Sequence, residues 1–320
     1  LATPVSVANG GTGQTTEAEA VGELIQACTE DTAPDNAADF FGVYDASADT
    51  GKKVKFSTVI REKLTAARTY YVRTDGSDSN NGLANTSGGA FLTVQKALDV
   101  CATIDFSGYT VTISVGSGTF SGTITIPRMV GQASVSDLII SGAGSASTTL
   151  TRASGDYSGV VTSSTPGAGV LIQNVTFTHS SSVGVAVFMN RGSIAEIGAD
   201  VTIGACGFVG LWVSNAAAII ITSRTVTFTS NMSSALRAQN NGIISATNST
   251  FACGTRTFSA STVDVQVAGL YDQNTCTWTG TITATRYSVI VNGTINTYAA
   301  GASAIGGNVA GSAATGGIYN

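Results

Sequence analysis

Charge is scarce in this chain. Only 11% of its 320 residues are Asp, Glu, Lys or Arg and 7% are aromatic, against 38 glycines. That balance describes a thin-walled β structure with many tight turns rather than a helical enzyme. Ten of the 20 acidic residues lie before position 67, and only six (Asp137, Asp156, Glu196, Asp200, Asp264, Asp272) lie after 107. A net charge of −5 without any basic stripe argues against nucleic acid as a partner. No apolar run approaches the length that spans a bilayer, so membrane insertion is not expected, and no signal-peptide pattern is present. The chain begins at Leu1 rather than Met, which leads us to expect a fragment or a processed product. One histidine, His179, gives no cluster for a transition metal. The five cysteines (Cys28, Cys101, Cys206, Cys253, Cys276) form no Cys-x-x-Cys pair and read as buried thiols. No metal or cofactor is expected.

What is present is a repeat. Short β-branched runs recur as Val175-Thr176-Phe177, Val201-Thr202-Ile203, Val226-Thr227-Phe228, Ser249-Thr250-Phe251 and Cys276-Thr277-Trp278, spaced 26, 25, 23 and 27 residues apart. A second landmark, Asn190, Asn215, Asn240 and Asn292, falls at intervals of 25, 25 and 52. A period in the twenties built of such runs marks a solenoid with one turn per repeat. Side chains alternate between the faces of a strand, so Leu211 and Val213 point inward and Trp212 outward, with Leu236, Arg237 and Ala238 repeating the pattern. Asn at a corner suits left-handed backbone angles, and successive Asn side chains would stack at about 4.8 Å. The fold class is therefore mainly β: a parallel β-helix of seven or eight turns.

Taken in order, Gly10-Gly11-Thr12-Gly13 is a turn cluster without the Lys of a phosphate loop. Residues 17–28 have helical spacing, with Thr16 as N-cap. Phe40–Asp45 and Lys53–Phe56 make a hairpin, and Ser57 caps a short helix through Leu64. Tyr70-Tyr71-Val72 is a strand. The turn cluster Asp75-Gly76-Ser77-Asp78-Ser79-Asn80-Asn81-Gly82 has oxygen ligands that could suit calcium, but backbone-bonding turn residues explain it better. A helix follows, with Thr93 as N-cap and Val94, Ala97, Leu98 and Cys101 on one side.

Two stretches carry a resemblance. Val7–Gly13 with Asp45-Ala46-Ser47 and Lys52-Lys53-Val54-Lys55 looks like modules near the virion-proximal end of bacteriophage tail fibres and tailspikes. The order Tyr-Tyr-Val, Asp-Gly-Ser-Asp-Ser-Asn-Asn-Gly, Phe-Leu-Thr-Val-Gln-Lys-Ala-Leu is similar to the entry of pectate-lyase-like right-handed β-helices, common in tailspikes. The resemblance implies a homotrimer in the virion tail, joined through its N-terminal module to other tail or baseplate proteins, with host polysaccharide or lipopolysaccharide as ligand. It divides the chain into a virion-proximal, trimerising α+β module at 1–66, an entry strand with capping helix at 67–106, a β-helix at 107–298 and a Gly/Ala/Ser-rich tail at 299–320, either a loose wrap or disordered.

For chemistry on glycans, two carboxylates must flank the bond. Glu196 and Asp200, four apart, would face the same way in an extended chain and are the best intrachain pair; a solvated loop is the plainer reading. Asp264 and Asp272 lie about three turns on, ~14 Å away. His179 reads as a strand end at the surface. For binding, Trp212 and Arg237 are 25 residues apart and should touch on one outer face, offering a ring to a sugar or a contact to a neighbouring chain. Tyr271, Asp272 and Tyr287 are lesser binding candidates, while Trp278 reads as core. The expectation is glycan adhesion, with a depolymerase (hydrolase or lyase) whose carboxylates lie in an intra- or inter-chain groove as the alternative.

Overall fold

The computed structural model describes residues 40–45, 50–55, 61–153, 156–157, 159–301 and 303–320. The chain divides into two compact units, Leu1–Arg61 and Glu62–Asn320. In the first, Phe40–Asp45 pairs antiparallel with Thr50–Lys55, Phe40 opposite Lys55 and Asp45 opposite Thr50, as the hairpin reading requires. The expected helix at 17–28, the glycine cluster before it and the Ser57 cap lie outside the described residues. Arg61–Leu64 is not helical; Lys63 instead bridges Asp105, and the Leu64 N–H donates to the Asp105 carbonyl.

The second unit is a parallel β-helix of about eight turns with three faces. Its right-handed sense is the one that crossovers between parallel strands adopt. The first face stacks ten strands, from Arg68–Val72 and Val111–Val115 through Ile194–Ile197 and Ala218–Thr222 to Ile318–Tyr319. The second face carries Thr148–Arg152, Val175–His179, Val201–Ile203 and Thr225–Phe228. The third carries Gly159–Ser163, Val185–Met189, Val209–Val213 and Met232–Gln239. Thr250–Gln266 and Thr277–Val289 run through both of these faces, which joins them into one sheet of thirteen strands.

Alternation sets what each face buries. Val175, Val201 and Val226 form one inward column and Phe177, Ile203 and Phe228 the next, each at most 1% exposed. Each such side chain contributes ~1.5–3 kcal/mol of burial. Between them, outward, Thr119, Thr149, Thr176, Thr202 and Thr227 stand in direct register. At one step the registration differs from the sequence reading by two residues. Phe251 pairs with Val226 rather than Phe228, whereas Trp278 pairs with Phe251 as the spacing of 27 implied. The offset is even, so the inward face is kept.

The corners form columns of left-handed residues. Arg191, Asn215, Asn240, Val267 and Val291 all have φ between 47° and 53°, each followed by a second positive-φ residue. The asparagine landmark tracks this corner loosely. Asn190 stands one residue before it and Asn292 one after. Asn215 Nδ2 donates to Asn190 Oδ1 at 2.8 Å, while Asn240 Nδ2 turns to Ser214 Oγ at 3.3 Å. A second corner column, Asn174, Asp200, Ser223, Asn248, Thr275 and Tyr298, went unread in the sequence.

The open end is covered by the helix Val94–Cys101. Thr93 caps it, its Oγ1 accepting from the Lys96 N–H, and Val94, Ala97, Leu98 and Cys101 are buried. Asp78 holds this start in place, accepting from the Leu92 and Thr93 N–H groups at 2.9 Å and from Thr93 Oγ1. Asp75 pairs with Arg73 at 2.8 Å. Gly82, at φ +76°, could carry no side chain, because a Cβ there would lie 2.1 Å from the Phe91 ring. At the far end the tail is neither loose nor separate. Ser312–Ala313 and Ile318–Tyr319 extend the sheets, Ile305 is fully buried, and Tyr319 stacks on Tyr287 at 4.1 Å.

Candidate functional site

The outward column of the third face breaks the uniformity seen on the second. It reads Thr162, Phe188, Trp212, Arg237, Asp264 and Ser288, rung by rung. Trp212 and Arg237 are thus direct neighbours on one outer face. Trp212 is not a free flat surface, however. Phe188 lies against it on one side (centroids 4.6 Å apart) and the Arg237 guanidinium on the other (5.7 Å). Phe208, from the loop after Val201–Ile203, meets Trp212 edge-on at 5.6 Å and carries the guanidinium over its own ring at 4.5 Å. Tyr157 abuts Phe208 edge-on at 4.8 Å and remains 54% exposed. The result is an aromatic ridge whose most open ring is Tyr157.

The ridge is electrically closed. Arg237 Nη2 lies 2.6 Å from Asp264 Oδ2, with the two side chains only 13% and 5% exposed. Gln266 Nε2 donates to both oxygens of that carboxylate, at 2.9 and 2.8 Å. Beside Tyr157, Arg152 pairs with Asp156 at 3.1 Å and donates to the Gly159 carbonyl. His179 is buried at the end of its strand, not at the surface as expected. Its Nδ1 accepts from the Ser181 N–H, and burial, then the charge of Arg152, lower its pKa, so it is neutral at pH 7. Trp212 Nε1 and Arg237 Nε are buried with no acceptor among the described residues. Both donors are shielded from solvent, which leaves the aromatic surface as the part a ligand can meet.

The two carboxylates of the proposed acid pair have different surroundings. Glu196 projects from the first face between Leu171 and Ile220. Asp200 lies at a bend, its own φ being 51°, so the chain is not extended there as the sequence reading assumed. Its carboxylate accepts from Ser145 Oγ at 2.6 Å and from the Ser145 N–H at 2.8 Å, which holds its pKa below the usual Asp value. Tyr271 is core, fully buried, with its hydroxyl donating to Gln273 Oε1 at 2.7 Å and its pKa pushed well up by burial; it cannot meet a surface ligand. Asp272, on the first face, accepts from Asn296 Nδ2 at 3.0 Å and from the Tyr298 hydroxyl at 3.3 Å. Tyr287 is 9% exposed under Tyr319. Trp278 is only half-buried, stacked on Phe251 at the core's edge. Burial pushes the thiols of Cys101, Cys206 and Cys253 up to about 12, so none is a nucleophile at neutral pH.

No protein family profile matches the chain, and no curated protein matches it. Among solved structures it is similar to pectin methylesterase PemA from Erwinia chrysanthemi, at 11% identity and a TM-score of 0.41 over 65% of this chain and 78% of that one. It is also similar to the pectin methylesterase from carrot, at 14% identity and 0.36, over 73% and 75%. Likeness of that degree assigns no activity.

Two ridge residues escape a reading by period alone. Phe188 was readable, standing 24 residues before Trp212 in the same alternation, but Phe208 and Tyr157 come from loops where no period applies. Two clefts of about 470 Å³ lie elsewhere. One is at the start of the capping helix beside Phe120, and one lies between Arg128–Val135 and Gly167–Gly169.

Proposed function

We propose that this chain is a bacteriophage tail fibre or tailspike protein, homotrimeric, that recognises a host cell-surface glycan along the outside of its β-helix without cleaving it. The observation that carries the reading is the ridge: an exposed Tyr157 with Phe208, Phe188 and Trp212 alongside, on a rigid rod, next to columns of threonine hydroxyls. Aromatic rings take the apolar face of a sugar, and fixed spacing suits a repeating polymer. The carboxylate of Asp200, occupied by Ser145, favours adhesion over hydrolysis. Trimerisation rests on the resemblance of the N-terminal segment, and exposed apolar residues on the first face, Ile243 and Ile318, suit contact with neighbouring chains. The test is incubation with host capsule or lipopolysaccharide, followed by binding, reducing-end and unsaturated-product assays. Retention without fragments is expected; accumulating fragments would make it a depolymerase. A solution mass other than three chains removes the trimer.

A further inference from the structure

Resting on the glycan-binding reading above, we infer that Asp264 is a specificity-determining residue, and that through it the ridge selects uncharged sugars over acidic ones. An arginine lying over aromatic rings would ordinarily draw a carboxylate-bearing ligand, by charge and by bidentate hydrogen bonding. Here that role is already filled. Asp264 sits one rung beyond Arg237 in direct register, takes its guanidinium at 2.6 Å, and is itself fixed by two hydrogen bonds from Gln266. With the carboxylate side chain 5% exposed, solvent does little to weaken the pair. The other cation at the ridge, Arg152, has its own partner in Asp156. A uronate or sialate laid along Phe188 and Trp212 would therefore find Arg152 and Arg237 already paired, and would bring its own charge against Asp264. A neutral pyranose ring meets only the aromatic surface.

The geometry also says what would undo the preference. Asn in place of Asp264 keeps the shape and one acceptor but frees the charge of Arg237. The full chain should be tested on an array of neutral hexose oligosaccharides and their uronate counterparts. Wild type is expected to retain the neutral probes. Asp264→Asn is expected to gain roughly tenfold in uronate binding, a gain lost again in the Arg237→Gln, Asp264→Asn double variant. Should Asp264→Asn fail to fold, the salt dependence of wild-type binding decides. Binding of neutral probes should be flat from low salt to ~0.5 M, whereas retention that collapses with salt would overturn the inference. Equal wild-type binding of both probe classes, unchanged in Asp264→Asn, would overturn it too. If Tyr157→Ala and Trp212→Ala leave all binding intact, or no probe binds, the ridge is not the site and the glycan reading itself falls.

Discussion

The second and third faces of the coil share a period, a backbone and a core, yet their outward columns differ in kind. On the second, threonine repeats at the same place on rung after rung, Thr149 on Thr176 on Thr202 on Thr227. On the third, the equivalent column changes at each step, from Phe188 to Trp212 to Arg237 to Asp264. A β-branched residue with a small polar tip is what an outward strand position favours for its own sake. The threonine column is therefore what the fold asks for. The third column contains what it does not ask for, including a nearly buried ion pair whose desolvation works against stability. Departure from the repeat, more than any motif, locates the candidate site.

The contrast is broken most directly by removing one charge. Asp264→Ala leaves Arg237 desolvated and unpaired, and is expected to cost ~3–5 kcal/mol. Thr202→Ala, at an equivalent outward position on the other face, should stay within about 0.5 kcal/mol. Urea denaturation of the two variants checks this. Comparable losses would mean that both columns are merely structural. A middle-sized effect belongs to the corner that follows the third face. Val267 holds φ 47°, where the preceding turns place Asn215 and Asn240. A β-branched residue in that region costs ~1–2 kcal/mol, so Val267→Asn should raise stability by about 1 kcal/mol, read as a higher urea midpoint at unchanged slope.

Much of this was legible because a solenoid repeats its reasons. The inward alternation around Trp212 and Arg237 fixed their shared face, and the helix with its Thr93 cap was visible in local spacing. Registers drifted where turns change length. The interval from Val226 to its structural partner Phe251 is 25, whereas the landmark step from Phe228 to Phe251 is 23, so a landmark chosen by residue type slid by an even step. The tail misled for a different reason. Glycine and alanine there look structureless, but each turn borrows its pairing from the one before, so weak composition suffices once a template exists. Tyr271 and His179 were misplaced because a polar tip says nothing about direction. Each is buried, and the Tyr271 hydroxyl is satisfied internally by Gln273.

The smallest effect concerns Asp200, the one acidic residue in the second corner column. Its pKa lies below the usual Asp value because Ser145 donates two hydrogen bonds to the carboxylate, from its hydroxyl and then its N–H. A carboxylate with a lowered folded-state pKa contributes stability that is fully present above the ordinary Asp value and lost as pH falls through the lowered one. The contribution thus disappears on the acid side only, and a group this exposed makes it small. Ser145→Ala should lower the melting temperature at pH 7 by no more than about 2 °C, and the difference from wild type should shrink as the pH drops below the ordinary Asp range. If the difference were instead constant with pH, the hydroxyl would be acting through packing. Asp200 would then be an uncommitted carboxylate, and the case against a catalytic role for it alongside Glu196 would lose its chief support.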